Sequence, residues 1–175
     1  KTVQLELESL EAAAALLDVA LPEINVADFR RSGYLPEALC NFLALNGWSA
    51  GDDLEKFDLE FLAGNFALDR VQKTPAKFDR VKLLAFNTDA ITGMAPADFA
   101  RRCREHARQF RPEYLARLDD EKFALLMKAS QERSKTLDDP FKSNAFLLAD
   151  DASLAFIDDK NVRKALGIGA APADG

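Results

Sequence analysis

Apolar residues recur along this 175-residue chain at intervals of three and four, the spacing that gathers them on one side of an α-helix. Leu10, Ala13, Ala14 and Leu17 share such a face in a helix over residues 9–19, which Ser9 can cap and Pro22 ends. Residues 24–26 read as a short strand or an extended link. A brief helix over 27–32 follows, and Gly33 can close it in left-handed geometry. Pro36 suits the first turn of the next helix, with Glu37 near the positive end of its dipole and Gly47 as its stop. Asp58 is placed to cap a short helix over 59–65. Thr74-Pro75 marks a further start, with Val81, Leu84 and Ala85 as the buried stripe of the helix that follows.

The clearest two-sided segment covers residues 97–110. Phe99, Cys103, His106 and Phe110 lie on one face, while Arg101, Arg104, Arg108 and, just beyond, Arg111 line another. Pro112 interrupts this pattern. Asp120 then caps a helix with Phe123, Leu126 and Met127 inward, running to about Lys135. Asp138-Asp139-Pro140 opens another through Leu147, and Asp158 or Asp159 a last one that ends before Gly167. The tail frays from about residue 168. Strand alternation is almost absent and no segment repeats, so the expected fold is all-α: a helical bundle with a short irregular N-terminal segment.

Charge sharpens this picture more than bulk composition does. The net charge of −6 is unevenly spread. Residues 1–66 hold 4 Lys/Arg and 12 Asp/Glu, residues 67–135 hold 15 and 10, and residues 136–175 hold 4 and 7. A basic middle between acidic flanks can face an anionic polymer, or it can pair with the acidic segments of the same molecule. Charge alone favours the second.

Several chemistries are excluded or left without support. A single histidine, His106, rules out multi-histidine metal centres, and two cysteines, Cys40 and Cys103, make neither a disulfide framework nor a zinc site. Such cysteine usage fits a reduced, cytoplasmic compartment. Gly167-Ile168-Gly169 has no helix after it to form a phosphate loop, and no serine sits in a Gly-x-Ser-x-Gly turn. The acid pairs, such as Asp52-Asp53 and Asp119-Asp120, suit capping and solubility. His106 and Cys103 read as packed or interfacial residues, and Trp48 as core more than as a base-stacking platform. The longest apolar run, residues 12–17, is too short to span a bilayer, and no basic-then-apolar leader opens the chain. Lys1 in first place makes the chain read as a piece of something longer.

One stretch is far more specific. Residues 26–39 (Val-Ala-Asp-Phe-Arg-Arg-Ser-Gly-Tyr-Leu-Pro-Glu-Ala-Leu) and 41–48 (Asn-Phe-Leu-Ala-Leu-Asn-Gly-Trp) closely resemble bacterial glutamyl-tRNA synthetases. The likeness continues through Gly51-Asp52-Asp53, Leu68-Asp69-Arg70-Val71, residues 73–79 and Lys82-Leu83-Leu84. Farther on, Gln131-Glu132-Arg133-Ser134-Lys135-Thr136-Leu137 is similar to the family's Gln-Glu-Arg-x-Lys-Thr-Leu turn. The resemblance covers about residues 23–148. The family's Asn-Gly-x-Tyr-Ile is replaced here by Asn87-Thr88-Asp89-Ala90-Ile91.

The resemblance implies a class I enzyme that charges tRNA with glutamate, using ATP and Mg2+ in a catalytic domain. The family's His-Ile-Gly-His-like and Lys-Met-Ser-Lys-Ser-like motifs do not occur in this chain, so no catalytic residue and no cofactor site is expected in it. Residues 1–22 match no usual family sequence and are read as the tail of an insertion; by the likeness 23–92 correspond to a stem-contact region and 93–175 to the first anticodon-binding helical domain of an α-helix cage. The implied partners are tRNA(Glu), with tRNA(Gln) left open, and a catalytic domain of the same protein; no membrane partner is implied.

Arg133 is the residue that the resemblance associates with reading the anticodon, since a planar guanidinium can satisfy two acceptors on one base edge. The competing expectation is that it pairs with a nearby carboxylate. Gln131, Lys135 and Thr136 are its neighbours in that role. Arg101, Arg104, Arg108 and Arg111 are candidate phosphate contacts, or else a solvated face. Arg30, Arg31 and Tyr34 are candidate contacts to the inner corner of tRNA, Tyr34 alternatively packing beneath the Gly33 turn. A second function class is a helical protein-interaction module with no RNA role, docking through Phe99, Cys103, His106 and Phe110.

Overall fold

A computed structural model describes residues 7–17, 19, 21–51, 53–73 and 77–150. Among them the chain forms nine α-helices and three 3-10 turns, with a lone antiparallel bridge between Trp48 and Val71 in place of any sheet. The all-α expectation holds. By its internal contacts the chain divides into two units, Lys1–Ser143 and Asn144–Gly175. The described part of the second, residues 144–150, contains the 3-10 turn Ala145–Leu148.

Prolines and short polar side chains start most of the helices in the larger unit. α1 spans Leu7–Leu17 and leaves Leu16 and Leu17 exposed. α2 (Val26–Arg31) begins at Asn25. The Asn25 side chain accepts from the Asp28 N–H at 3.0 Å, while the Asp28 carboxylate accepts from the Asn25 N–H at 3.0 Å. This reciprocal box satisfies two otherwise unpaired donors. α3 (Pro36–Leu45) carries proline in its first turn, and α4 (Leu59–Asn65) is capped by Asp58. Of the short strand or link expected over 24–26, Asn25 is extended and Val26 already opens α2.

α5 (Arg80–Thr92) starts later than Thr74-Pro75 suggested. Its cap is Asp79, whose carboxylate accepts from the Val81 and Lys82 N–H groups; residues 74–76 lie outside the described ones. α6 (Pro96–Phe110) falls where the amphipathic pattern put it. Pro112 does not merely interrupt but opens α7 (Pro112–Arg117), because a first-turn proline lacks only an N–H that has no helical partner anyway. α8 (Asp120–Ser130), capped by Asp119, stops at Ser130 instead of reaching Lys135, and a 3-10 turn, Gln131–Arg133, replaces its last stretch. α9 (Asp139–Lys142) is four residues long and does not extend to Leu147. The helix expected before Gly167 and the frayed tail lie outside the described residues, as do residues 1–6, 18 and 20 of the proposed insertion tail.

Two apolar clusters organise this unit. In the first, Phe29, Phe42, Leu83 and Phe86 are buried where α3 crosses α5, with Tyr34, Leu39 and Leu45 packed on them. Beside it Trp48 is buried edge-on to Phe57 at 5.6 Å and tilted against Phe66 at 5.8 Å, a core position as expected; its indole Nε1 finds no acceptor among the described residues. In the second, α6 turns Phe99, Cys103, His106 and Ala107 toward α7 and α8, against Tyr114, Phe123, Met127 and, from α9, Phe141. The face suggested for docking another protein is therefore occupied by the chain's own core. Phe99 and Cys103 are fully buried.

Candidate nucleic-acid interface

The turn between α2 and α3 and the turn before α9 press together. Gly33 has φ +83°, and a Cβ there would stand 2.5 Å from the Asp138 nitrogen and 2.8 Å from that of Leu137. No side chain fits. The Gly33 carbonyl accepts from the Leu137 N–H at 2.9 Å. Asn87 of α5, fully buried, completes the junction: its Oδ1 accepts from the Leu35 N–H at 2.7 Å and its Nδ2 donates to the Lys135 carbonyl at 2.5 Å. The two stretches that carried the family resemblance thus meet in space.

Inward and outward positions divide the 131–137 segment sharply. Gln131 is buried, and its amide donates to the carbonyls of Ile91 at 3.1 Å and Met94 at 2.8 Å, tying the segment to the end of α5. Ser134 donates to the Ser130 carbonyl at 2.9 Å. Thr136 is buried and donates to Asp139 Oδ1 at 3.1 Å. Asp139 Oδ2 also accepts from the N–H groups of Lys135 at 2.7 Å and Thr136 at 3.0 Å. The side chains left exposed are those of Glu132, Arg133 and Lys135. Neither Arg133 nor Lys135 pairs with a carboxylate among the described residues, so the competing expectation for Arg133 finds no support. Gln131 and Thr136, by contrast, belong to the scaffold of the turn.

The arginine row of α6 is not one open edge, which corrects the expectation of four cations facing outward together. Arg101 pairs along its own helix with Asp98 at 3.3 Å and Glu105 at 3.0 Å. Arg104 reaches Asp120 of α8 at 2.8 Å and lies over the Phe123 ring, 4.2 Å from its centre. Arg111 grips Asp138 with two bonds, Nε to Oδ1 at 2.8 Å and Nη2 to Oδ2 at 2.7 Å. Arg108 is exposed and remains without an acidic partner among the described residues. The basic middle of the chain also pairs with its acidic start: Arg80 with Glu23 at 3.0 Å, Lys82 with Glu55 at 2.6 Å and Arg102 with Glu37 at 2.5 Å. The intramolecular reading of the charge pattern accounts for most of these cations.

Asp138 is the strongest electrostatic feature. It is 1% exposed and meets two cations, Arg111 and, at 3.0 Å, Lys142, together with the His106 ring, whose Nε2 lies at 3.2 Å. Burial pushes its carboxyl up, but hydrogen bonds from His106, Arg111 and Lys142 outweigh that and hold it well below the ordinary range. His106 is thus a packed histidine, its ring 5.0 Å from that of Phe110. Burial pushes the Cys103 thiol far up, which removes it as a nucleophile.

On α2, Arg30 is exposed and Arg31 stands 3.9 Å from Asp28, a loose contact that leaves its guanidinium mostly in solvent. Tyr34 packs edge-on to Phe29 at 5.3 Å, the packing alternative, and burial followed by the charge of Glu23 raises its phenol. Among the described residues no group of three or more potential ligands assembles, the carboxylate of Asp138 is already held by cations, and the left-handed Gly33 is closed over by backbone. No described helix is long and apolar enough to cross a membrane.

No family model matches the chain. Over 152 residues, 87% of its length, it is 35% identical to the glutamate–tRNA ligase of Corynebacterium diphtheriae, and over 146 residues 38% identical to that of Mycolicibacterium paratuberculosis. The chain belongs to the glutamate–tRNA ligase family. It spans 30% and 29% of those two relatives. Among solved structures, the glutamate–tRNA synthetase from Elizabethkingia anophelis superposes with a TM-score of 0.60 at 26% identity, covering 78% of this chain and 26% of that one. A glutamate–tRNA ligase from Elizabethkingia meningosepticum shares the fold over 94% of this chain and 32% of its own, with a TM-score of 0.59 at 21% identity. The helical architecture found here is therefore one that glutamate–tRNA ligases contain.

Sequence inspection passed over Asn87, Asp138 and Asp139 as builders of the 131–137 turn. The stripe expected to be buried on α5, Val81, Leu84 and Ala85, is displaced: Val81 is exposed, and the buried side carries Leu83, Phe86, Ile91 and Asn87, where a polar group needs a partner.

Proposed function

We propose that this chain is the tRNA-recognition segment of a glutamate–tRNA ligase, a cytoplasmic enzyme that attaches glutamate to tRNA(Glu) with ATP, and that bond-making takes place in another part of that protein. Residues 23–92 serve as the stem-contact region and 93–175 as the first anticodon-binding helical domain. Arg133 reads an anticodon base, Lys135 and Arg108 hold phosphates, and Arg30 and Arg31 approach the inner corner of the tRNA. The observation that supports this is the division within 131–137: the polar groups of the turn are bound inward, while the Arg133 and Lys135 side chains stand outward on a fixed backbone without acidic partners. A guanidinium held in that way can present its fork to a base edge, and nearby cations add affinity by releasing counterions from phosphates.

The test is a titration of the full chain with tRNA(Glu) and with the same tRNA carrying an altered anticodon. Arg133→Ala weakens binding to the first by about 1–3 kcal/mol, the size of one bidentate base contact, and leaves the second near its unaltered level. Equal losses on both would remove the reading role. Arg108→Ala weakens both alike and flattens the salt dependence.

A further inference from the structure

We propose that Asn87 and Asp139 are positioning residues for base reading, clamping the peptide of Lys135 from opposite sides so that Arg133 is presented in one orientation. The proposal rests on the tRNA-recognition reading above and adds residues that touch no RNA.

The chemistry of the clamp is specific. The Leu35 N–H can only donate and the Lys135 carbonyl can only accept, and Asn87 meets both from a fully buried site, at 2.7 and 2.5 Å. A side-chain amide supplies one acceptor and one donor at that fork; an ionised carboxylate supplies acceptors alone and an aliphatic side chain neither. On the other side, Asp139 accepts from the N–H groups of Lys135 and Thr136 and from the Thr136 hydroxyl. The carbonyl of Lys135 is therefore fixed by one residue and its N–H by the other. Upstream, Ser134 and Gln131 are anchored as well. Arg133 lies between anchored residues, with its side chain free.

Loosening the clamp leaves the guanidinium charge in place and spreads its directions. Attraction to phosphates tolerates such spread, whereas a two-point contact to a base edge requires placement within about 0.5 Å. The affected quantity is therefore the ratio of affinities for tRNA(Glu) and its anticodon-altered form. Partial unfolding would lower both affinities together and leave that ratio unchanged.

Asn87→Asp and Asp139→Ala are made in the full chain, alone and combined with Arg133→Ala, and both affinities are measured at a temperature where circular dichroism shows native helix content. Asp139 is only partly buried, so its variant carries the test if Asn87→Asp melts. The expected result is a fall in the ratio of about fivefold to tenfold for each folded variant, and in combination with Arg133→Ala a ratio no lower than that of Arg133→Ala alone. An intact ratio in a folded variant, or losses that add to that of Arg133→Ala, would overturn the positioning role while leaving the reading of Arg133 standing. If the unaltered chain does not discriminate, or Arg133→Ala does not change the ratio, the recognition reading fails and this proposal with it.

Discussion

Residues 26–92 and 96–142 are built from helices of similar length, yet they use charge in opposite ways. The first part has an apolar centre of Phe29, Phe42, Leu83 and Phe86 and keeps its ion pairs at the rim, such as Lys56 with Asp89 at 2.6 Å and Lys82 with Glu55 at 2.6 Å. The second buries a carboxylate and surrounds it with two cations and a histidine ring. An exposed pair contributes little, since water already stabilises both partners. A buried charge costs several kcal/mol to desolvate, and is tolerated only when its lone pairs are filled. The difference shows where charge defines geometry: Asp138 fixes the approach of α6 to the turn beside Gly33, while the rim pairs fix nothing that packing does not already hold.

The most severe way to break this contrast is to strike the seam itself. Gly33→Ala places a methyl 2.5 Å from the Asp138 nitrogen on backbone of left-handed φ. Left-handed strain and forced displacement of packed backbone together cost about 3 kcal/mol or more, read as a lower urea midpoint.

Asp138→Asn comes next. Arg111 and Lys142 lose their counter-charge, and the loss is about 2–3 kcal/mol at neutral pH, because both are partly reached by water. The pH dependence identifies the cause. Because the folded carboxyl titrates below its ordinary value of 3.8, its contribution is present above that value and lost as pH falls through it toward the lower folded value. Denaturation series at several pH values should show the difference between native chain and variant shrinking below pH 3.8. A constant difference would mean that packing, not charge, carries the effect.

The smallest effect belongs to the rim. Lys56→Ala removes a pair with both partners well exposed, and its cost is at most about 0.5 kcal/mol. A larger loss in the same denaturation assay would erase the contrast between the two parts.

Local signals made much of this legible in the sequence. Asp58 as a cap, Pro36 in a first turn, Gly33 in left-handed conformation and the inward face of α6 each depend on a few neighbouring residues, and each is found as read. The misplaced boundaries have tertiary causes. α8 stops at Ser130 because Gln131 is drawn to the carbonyls at the end of α5, forty residues away in sequence. The arginines of α6 share one helical face by spacing, but which of them is free depends on acids such as Asp120 and Asp138 that arrive from later elements. Arg133 was singled out by its motif alone. The contacts that Asn87, Gly33 and Asp139 make to the 131–137 turn were not legible, because those residues are brought together only by the fold.

Trp48 has a practical consequence. It is the single tryptophan of the chain, and its indole is shielded by Phe57 and Phe66. Ultraviolet excitation at its absorbance edge therefore illuminates one corner of the molecule, whose emission shifts to longer wavelength when that corner becomes hydrated. Helix dichroism reports on all the helices at once. Superimposable melting traces from the two signals would show that the corner and the rest come apart as one cooperative body.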